Sequence, residues 1–173
     1  MKKIFYADKS RFSSSIEAVQ LIFEKYYNLK SVVINRNEHG KPYLENNNSY
    51  FFSVTHTKEL LLIAVSPQNV GIDAEPLDRK VEYSSILKKF SSEEKEHISS
   101  EADFLVYWTT KESVIKWLGG SLSLDLSKIR YEKNQAYYKA LPLPVSIAHK
   151  RFQNHILSIC SEENFKDIEF FPI

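Results

Sequence analysis

Cysteine occurs once in this chain of 173 residues, at Cys160, so neither an internal disulfide nor a cysteine-built zinc knuckle is open to it. A reducing, cytoplasmic setting is the expected home. Charge of one sign is equally lacking: 23 Lys and Arg stand against 22 Asp and Glu, and a formal net charge of +1 gives no bulk attraction to nucleic acid or to an anionic membrane. No run approaches the roughly 18 apolar residues of a membrane helix. Met1-Lys2-Lys3 before Ile4-Phe5-Tyr6 begins like a signal peptide, but Asp8 and Lys9 interrupt the apolar run at once. Low-complexity tracts and residue-level repeats are also missing. Glycine is scarce, and the 4 glycines, Gly40, Gly71, Gly119 and Gly120, fall in three short stretches. What is present is an ordinary globular composition, 43% hydrophobic and 26% charged, in a chain long enough to bury about 70% of its unfolded surface in one domain or two packed halves.

Periodicity predicts an α+β order. An extended start at Lys3 to Tyr6 precedes a helix opened by Ser14-Ser15-Ile16-Glu17, in which Ile16, Val19, Phe23 and Tyr26 recur every three or four residues. Val32 to Ile34, Phe51 to Val54, Leu60 to Val65 and Val70 to Glu75 read as strands, the last two as a hairpin around Pro67-Gln68-Asn69. The polar segment Pro76 to Lys80 reads as a crossover, dividing the chain into halves 1–76 and 77–173. In the second half, Ser91 with Glu94 caps a short helix, and Ser100 opens a longer one that runs to Leu118 and stops at Gly119-Gly120. Leu126 to Tyr131, Ala136 to Lys139 and Ile156 to Ile159 read as strands, with Asp125, Asn134 and Pro142-Leu143-Pro144 between them.

Four groups of residues bear chemistry. In Asp73-Ala74-Glu75 a strand places both carboxylates on one face, which is either a solvated strand end or a pair of hard oxygen ligands for Mg²⁺. Thr109, Glu112 and Lys116 share a helical stripe beside Phe104, Trp108, Ile115 and Leu118. Glu112 and Lys116 are there either a surface ion pair or a metal ligand with a phosphate-seeking lysine, and Trp108 reads as core packing. His56 between Thr55 and Thr57 is a neutral loop histidine or part of an anion site. Gly40-Lys41-Pro42 fixes Lys41 in place or is a plain surface turn.

The order of these groups is more specific than any one of them. From Gly40 to Leu124 the chain resembles the 4′-phosphopantetheinyl transferases. The matching stretches are Gly40-Lys41-Pro42-Tyr43-Leu44, Phe52-Ser53-Val54-Thr55-His56-Thr57, Val70-Gly71-Ile72-Asp73-Ala74-Glu75 and Phe90-Ser91-Ser92-Glu93-Glu94. Trp108-Thr109-Thr110-Lys111-Glu112-Ser113-Val114-Ile115-Lys116 follows, running on to Gly119-Gly120-Ser121-Leu122. Thr55 stands where the family usually has serine, and the portion before Gly40 matches nothing clearly, so Arg36 is only a candidate for the adenine end of a ligand.

The resemblance is to the two-half, surfactin-type subfamily, and it implies two similar α+β half-domains with a cofactor cleft between them. It implies transfer of the phosphopantetheine arm of coenzyme A to a serine of an apo acyl or peptidyl carrier protein, with release of 3′,5′-ADP. By motif, Asp73, Glu75 and Glu112 would bind Mg²⁺, with Glu112 also taking the serine proton directly or through water. Lys116 would stabilise or protonate the departing phosphate, Lys41, Thr55 and His56 would hold the nucleotide phosphates, and Lys111 would be another phosphate contact. A monomer is expected, since both halves lie in one chain. The alternatives are a Mg²⁺-dependent phosphodiester or pyrophosphate hydrolase and a catalytically silent carrier-binding module. Val81 to Phe90, around Ile86 and Leu87, is either a carrier-facing surface or core.

Overall fold

The computed structural model describes residues 2–47, 49–80, 82–120, 126–165 and 167–173. Of the sequence markers, Val81, Ser121, Leu122, Leu124 and Asp125 lie outside the described residues. The fold is α+β. In chain order its elements are β1 (Lys2–Asp8), α1 (Ser15–Tyr27), β2 (Ile34–Arg36), β3 (Pro42–Leu44), β4 (Phe51–His56), β5 (Leu60–Ser66) and β6 (Val70–Pro76). Then come α2 (Ser84–Leu87), α3 (Ser92–Glu96), α4 (Glu101–Trp117), β7 (Ile129–Glu132), β8 (Gln135–Tyr138), β9 (Leu141–Pro142), β10 (Ser146–Phe152), β11 (His155–Ser161) and β12 (Ile168–Pro172).

Side-chain alternation along β5 and β6 sets the layers. The first sheet has the order β12-β1-β5-β4, with β12 parallel to β1 and the other pairs antiparallel. Leu61, Ile63 and Val65 of β5 pack with Ala18, Val19, Ile22 and Phe23 of α1, while Leu60, Leu62 and Ala64 face the other way. There they meet Val70, Ile72 and Ala74 of β6 and Leu157 and Ile159 of β11, members of a second sheet of order β10-β11-β6. β5 is therefore buried on both faces, which is why it reads as an unbroken apolar run. The far face of the second sheet, through Ile156 and Cys160, joins Phe104, Leu105, Val114 and Ile115 of α4. The layers thus run α1, first sheet, second sheet, α4.

One expectation fails against this topology. β5 and β6 do not form a hairpin: β5 pairs with β1 and β4, and β6 pairs with β11. The turn at Pro67-Gln68-Asn69 carries the chain from one sheet to the other. Strand pairing joins the two stretches of chain on either side of residue 76, since β6 pairs with β11 and β12 returns to β1. Ile86 and Leu87 pack against the α4 cluster, on its core side.

Local signals place α4. Ser100 Oγ accepts from Asp103 N at its start. At its end Gly119 has φ +83°, Gly120 N donates to Ile115 O at 2.9 Å and Gly119 N to Lys116 O at 3.2 Å, a Schellman closure that needs the left-handed residue. Between the caps, residues 109–115 are all buried, because α4 lies between the second sheet and the β7 and α3 region rather than on a surface. Among the described residues, no helix is long and apolar enough to cross a membrane.

Candidate active site

One cavity of about 610 Å³ gathers most of the chemistry-bearing residues. Its walls include Arg36, Lys41, Thr55, His56, Asp73, Glu75, Trp108, Glu112 and Lys116. On β6, Ala74 faces the first sheet, so Asp73 and Glu75 face the cavity together, as strand alternation demands. Thr55 and His56 arrive from the end of β4, where His56 is exposed and belongs to a strand rather than a loop. Lys41 follows Gly40 in the turn between β2 and β3, and α4 supplies Trp108, Glu112 and Lys116 one turn apart.

Each acid has a distinct environment. Asp73 Oδ1 accepts from Thr55 Oγ1 at 3.0 Å and from Lys116 Nζ at 2.8 Å, and Lys116 also donates to Ile72 O at 3.0 Å. Lys116 is therefore bound to the strand acid rather than to Glu112 on its own helix. Glu75 accepts from the Trp108 indole N–H at 3.2 Å and forms an ion pair with Arg79, four residues along the chain. Glu112 is only 6% exposed, and its Oε1 is buried without a hydrogen-bond partner. Burial, then the charge of Asp73 and to a smaller extent that of Glu75, pushes the Glu112 carboxyl up to about 7 against the opposing pull of Lys116.

Lys41 is held by Asn69 Oδ1 at 2.9 Å and by Val70 O at 3.4 Å, and burial lowers its ammonium to about 8. Lys111, expected at the phosphates, is elsewhere. Its Nζ lies 2.8 Å from Glu94 Oε2 and 2.6 Å from Ile129 O, over the Phe90 ring, in a pair with no exposed side-chain surface on either partner. Consecutive helical residues project about 100° apart, so with Glu112 toward the cavity Lys111 points into the α3–β7 side. Trp108 is not only core packing: it stacks near Phe104 and also lines the cavity.

Residues that sequence reasoning missed are Arg79, Asn37, Asn69 and the Glu94 carboxylate, of which only Glu94 carried a signal, its capping position. Glu94 does close that capping box, and it reaches Lys111 and Tyr131 N as well.

Three carboxylates on one cavity make a hard-oxygen donor set, and the unpartnered Glu112 oxygen is a costly feature that a dication would relieve. The residues present fit Mg²⁺ in kind. Among the described residues, however, no three acidic, imidazole or thiol groups stand gathered as ready ligands, since Lys116 engages Asp73 and Arg79 engages Glu75.

Comparison with known proteins bears on the same segment. The chain is 27% identical over 143 residues to the 4′-phosphopantetheinyl transferase gsp of Aneurinibacillus migulanus, covering 76% of this chain and 59% of that protein. It is 28% identical over 141 residues to the 4′-phosphopantetheinyl transferase Sfp of Bacillus subtilis, covering 74% and 60%. To the L-aminoadipate-semialdehyde dehydrogenase-phosphopantetheinyl transferase of Saccharomyces cerevisiae it is 28% identical over 162 residues, covering 81% and 60%. The chain spans about three fifths of the length of these relatives. The family profile matches residues 69–160, more than half the chain and the part that holds β6, α4 and their three acids, so the chain belongs to the 4′-phosphopantetheinyl transferase superfamily.

Proposed function

We propose that this chain transfers the 4′-phosphopantetheine arm of coenzyme A to a serine of an apo acyl or peptidyl carrier protein, releasing 3′,5′-ADP. The observation that carries this reading is the convergence of Lys41, His56, Asp73, Glu75, Glu112 and Lys116 on one cavity, in a chain of that superfamily. The relatives described above, each named as a phosphopantetheinyl transferase, support it.

In this reading Asp73, Glu75 and Glu112 hold Mg²⁺, which when bound offsets the negative charge that builds on the pyrophosphate oxygens. The chain's own residues position the reactants and move the proton. Lys41, Thr55 and His56 hold the nucleotide phosphates. Glu112 accepts the proton of the serine hydroxyl directly or through water. The serine oxygen bonds to the phosphorus that carries pantetheine, and the bond from that phosphorus to the bridging oxygen breaks. The electron pair leaves with 3′,5′-ADP, and Lys116 offsets its charge. Half-domains 1–76 and 77–173 each supply part of the cleft, the first through Lys41 to Glu75 and the second through Glu112 and Lys116. A monomer therefore suffices, and the cytoplasm, where coenzyme A and apo carriers meet, is the proposed setting.

The test incubates the protein with coenzyme A, Mg²⁺ and a panel of apo carriers from fatty acid, polyketide and nonribosomal peptide systems. Mass gain on a carrier, with 3′,5′-ADP formed in equal amount, is the expected result. Equal 3′,5′-ADP without any carrier would make the chain a hydrolase, and coenzyme A binding with no turnover on any carrier would make it a silent binding module.

A further inference from the structure

Two asparagines outside the motifs join Lys41 to the end of α4. Asn69 Nδ2 donates to Trp117 O at 2.7 Å while its Oδ1 accepts from Lys41 Nζ at 2.9 Å. Asn37 Nδ2 donates to Gly119 O at 2.7 Å while its Oδ1 accepts from Lys41 N at 2.8 Å and from His39 N at 3.0 Å. The end of a helix leaves carbonyls without intrahelical partners, and here the Schellman closure serves Ile115 O and Lys116 O. Asn69 serves Trp117 O. Each amide thus has one end on the helix that bears Glu112 and Lys116, at Trp117, or on the turn that closes it, at Gly119, and the other on Lys41, the main chain for Asn37 and the side chain for Asn69.

An ammonium has three donors, and Asn69 Oδ1 and Val70 O engage two of those of Lys41, leaving the third for a ligand. A flexible four-carbon lysine is otherwise a poorly aimed point charge. We propose that Asn37 and Asn69 are positioning residues, which hold Lys41 at a fixed distance from Glu112 and Lys116 so that one ligand can meet all three. This rests on Lys41 being a coenzyme A phosphate contact. Asn69 acts through Lys41 and through the helix end, not on the reacting atoms.

The test is a double-mutant cycle in coenzyme A affinity, measured by calorimetry in Mg²⁺ buffer, with kcat on an accepted carrier alongside. Lys41→Ala and Asn69→Leu are each expected to weaken coenzyme A binding about tenfold, the weight of one charge-assisted hydrogen bond. Asn69→Leu should change KM far more than kcat. In the Lys41→Ala background, Asn69→Leu should add less than about twofold, because its target is gone. Asn69→Asp keeps an acceptor for the ammonium but loses the donor to Trp117 O and adds negative charge beside the phosphates, so it should not recover the affinity. Should Asn69→Leu fail to fold, Asn69→Ser, too short to span both partners, takes its place in the cycle. Additive losses in the cycle, or no loss from the Asn69 variants, would overturn the proposal while Lys41 keeps its phosphate role. No effect of Lys41→Ala would overturn both the phosphate role and the proposal.

Discussion

The carbonyl oxygen of Ser113 lies 1.9 Å from the point where a Cβ on Gly71 would stand, and the Trp117 amide nitrogen lies 2.6 Å from it. β6 and α4 therefore touch backbone to backbone, two residues from Asp73 on one side and one from Glu112 on the other. Neither atom belongs to a flexible side chain that can swing away. Gly71→Ala is expected to push α4 off the sheet and cost about 3 kcal/mol, at the upper end for overpacking. Denaturant unfolding measures the loss, and coenzyme A affinity should fall with it even though no ligand-facing group has changed. An Ala variant as stable as the parent would show that the two elements separate easily.

Glu112→Gln separates two consequences of one buried carboxyl. If Glu112 is the proposed metal ligand and base, its change to Gln should suppress transfer by a factor of about 100 or more while coenzyme A binding weakens far less. In stability the change should be favourable. The folded-state carboxyl is raised to about 7 from 4.5, so the folded protein binds the proton more tightly than the unfolded chain does. That contribution is complete below the unfolded value and is lost as pH rises through about 7. At about pH 8 in EDTA, Gln in place of Glu should therefore add on the order of 3 kcal/mol, and at about pH 4 almost nothing. Urea titrations at the two pH values check the difference, and equal effects would mean that Glu112 is not held in the environment described.

The parts of this site that were legible in the sequence are the ones that local geometry determines. Asp73 and Glu75 share a face because strands alternate, and the Ser100 cap and Gly119 stop bound α4 because helix ends need them. What was not legible depends on partners far along the chain. Asn37 and Asn69 reach carbonyls 82 and 48 residues away, and nothing local marks an asparagine for that task. The β5–β6 hairpin failed for the same reason, since a short turn fits a change of sheet as well as it fits a hairpin. Lys111 was misplaced because a motif gives spacing but not the direction in which each residue of a buried helix points.

Lys116→Ala tests the division of labour around Asp73. Lys116 is the cation on Asp73 Oδ1, so its removal takes positive charge from the acids rather than a ligand from the metal. Affinity for Mg²⁺, read by calorimetry with the metal alone, is expected to stay level or rise, while transfer falls at least about tenfold. A collapse of metal affinity would mean that the lysine holds the helix in place, and the charge-offsetting role would go.

The Glu94–Lys111 pair carries the last prediction. Both side chains are fully buried, and Glu94 also accepts from the main chain of Ser91 and Tyr131, so the pair ties α3, α4 and β7 together. Burial lowers the Lys111 ammonium from its ordinary value, and the Glu94 charge opposes that. Removing one partner leaves an uncompensated buried charge, so Lys111→Met and Glu94→Gln should each cost about 3–5 kcal/mol. For a chain of this size that corresponds to a Tm loss of roughly 10 °C. The double variant should recover part of the loss, because the remaining ion is then gone. That recovery is incomplete, because Ser91 N and Tyr131 N are served by different oxygens of Glu94 and the single oxygen of glutamine keeps only one of them. Calorimetric melting of the three variants decides the matter. If Lys111→Met keeps its Tm but loses coenzyme A affinity, the lysine serves the phosphates after all, and α4 is turned differently about its axis.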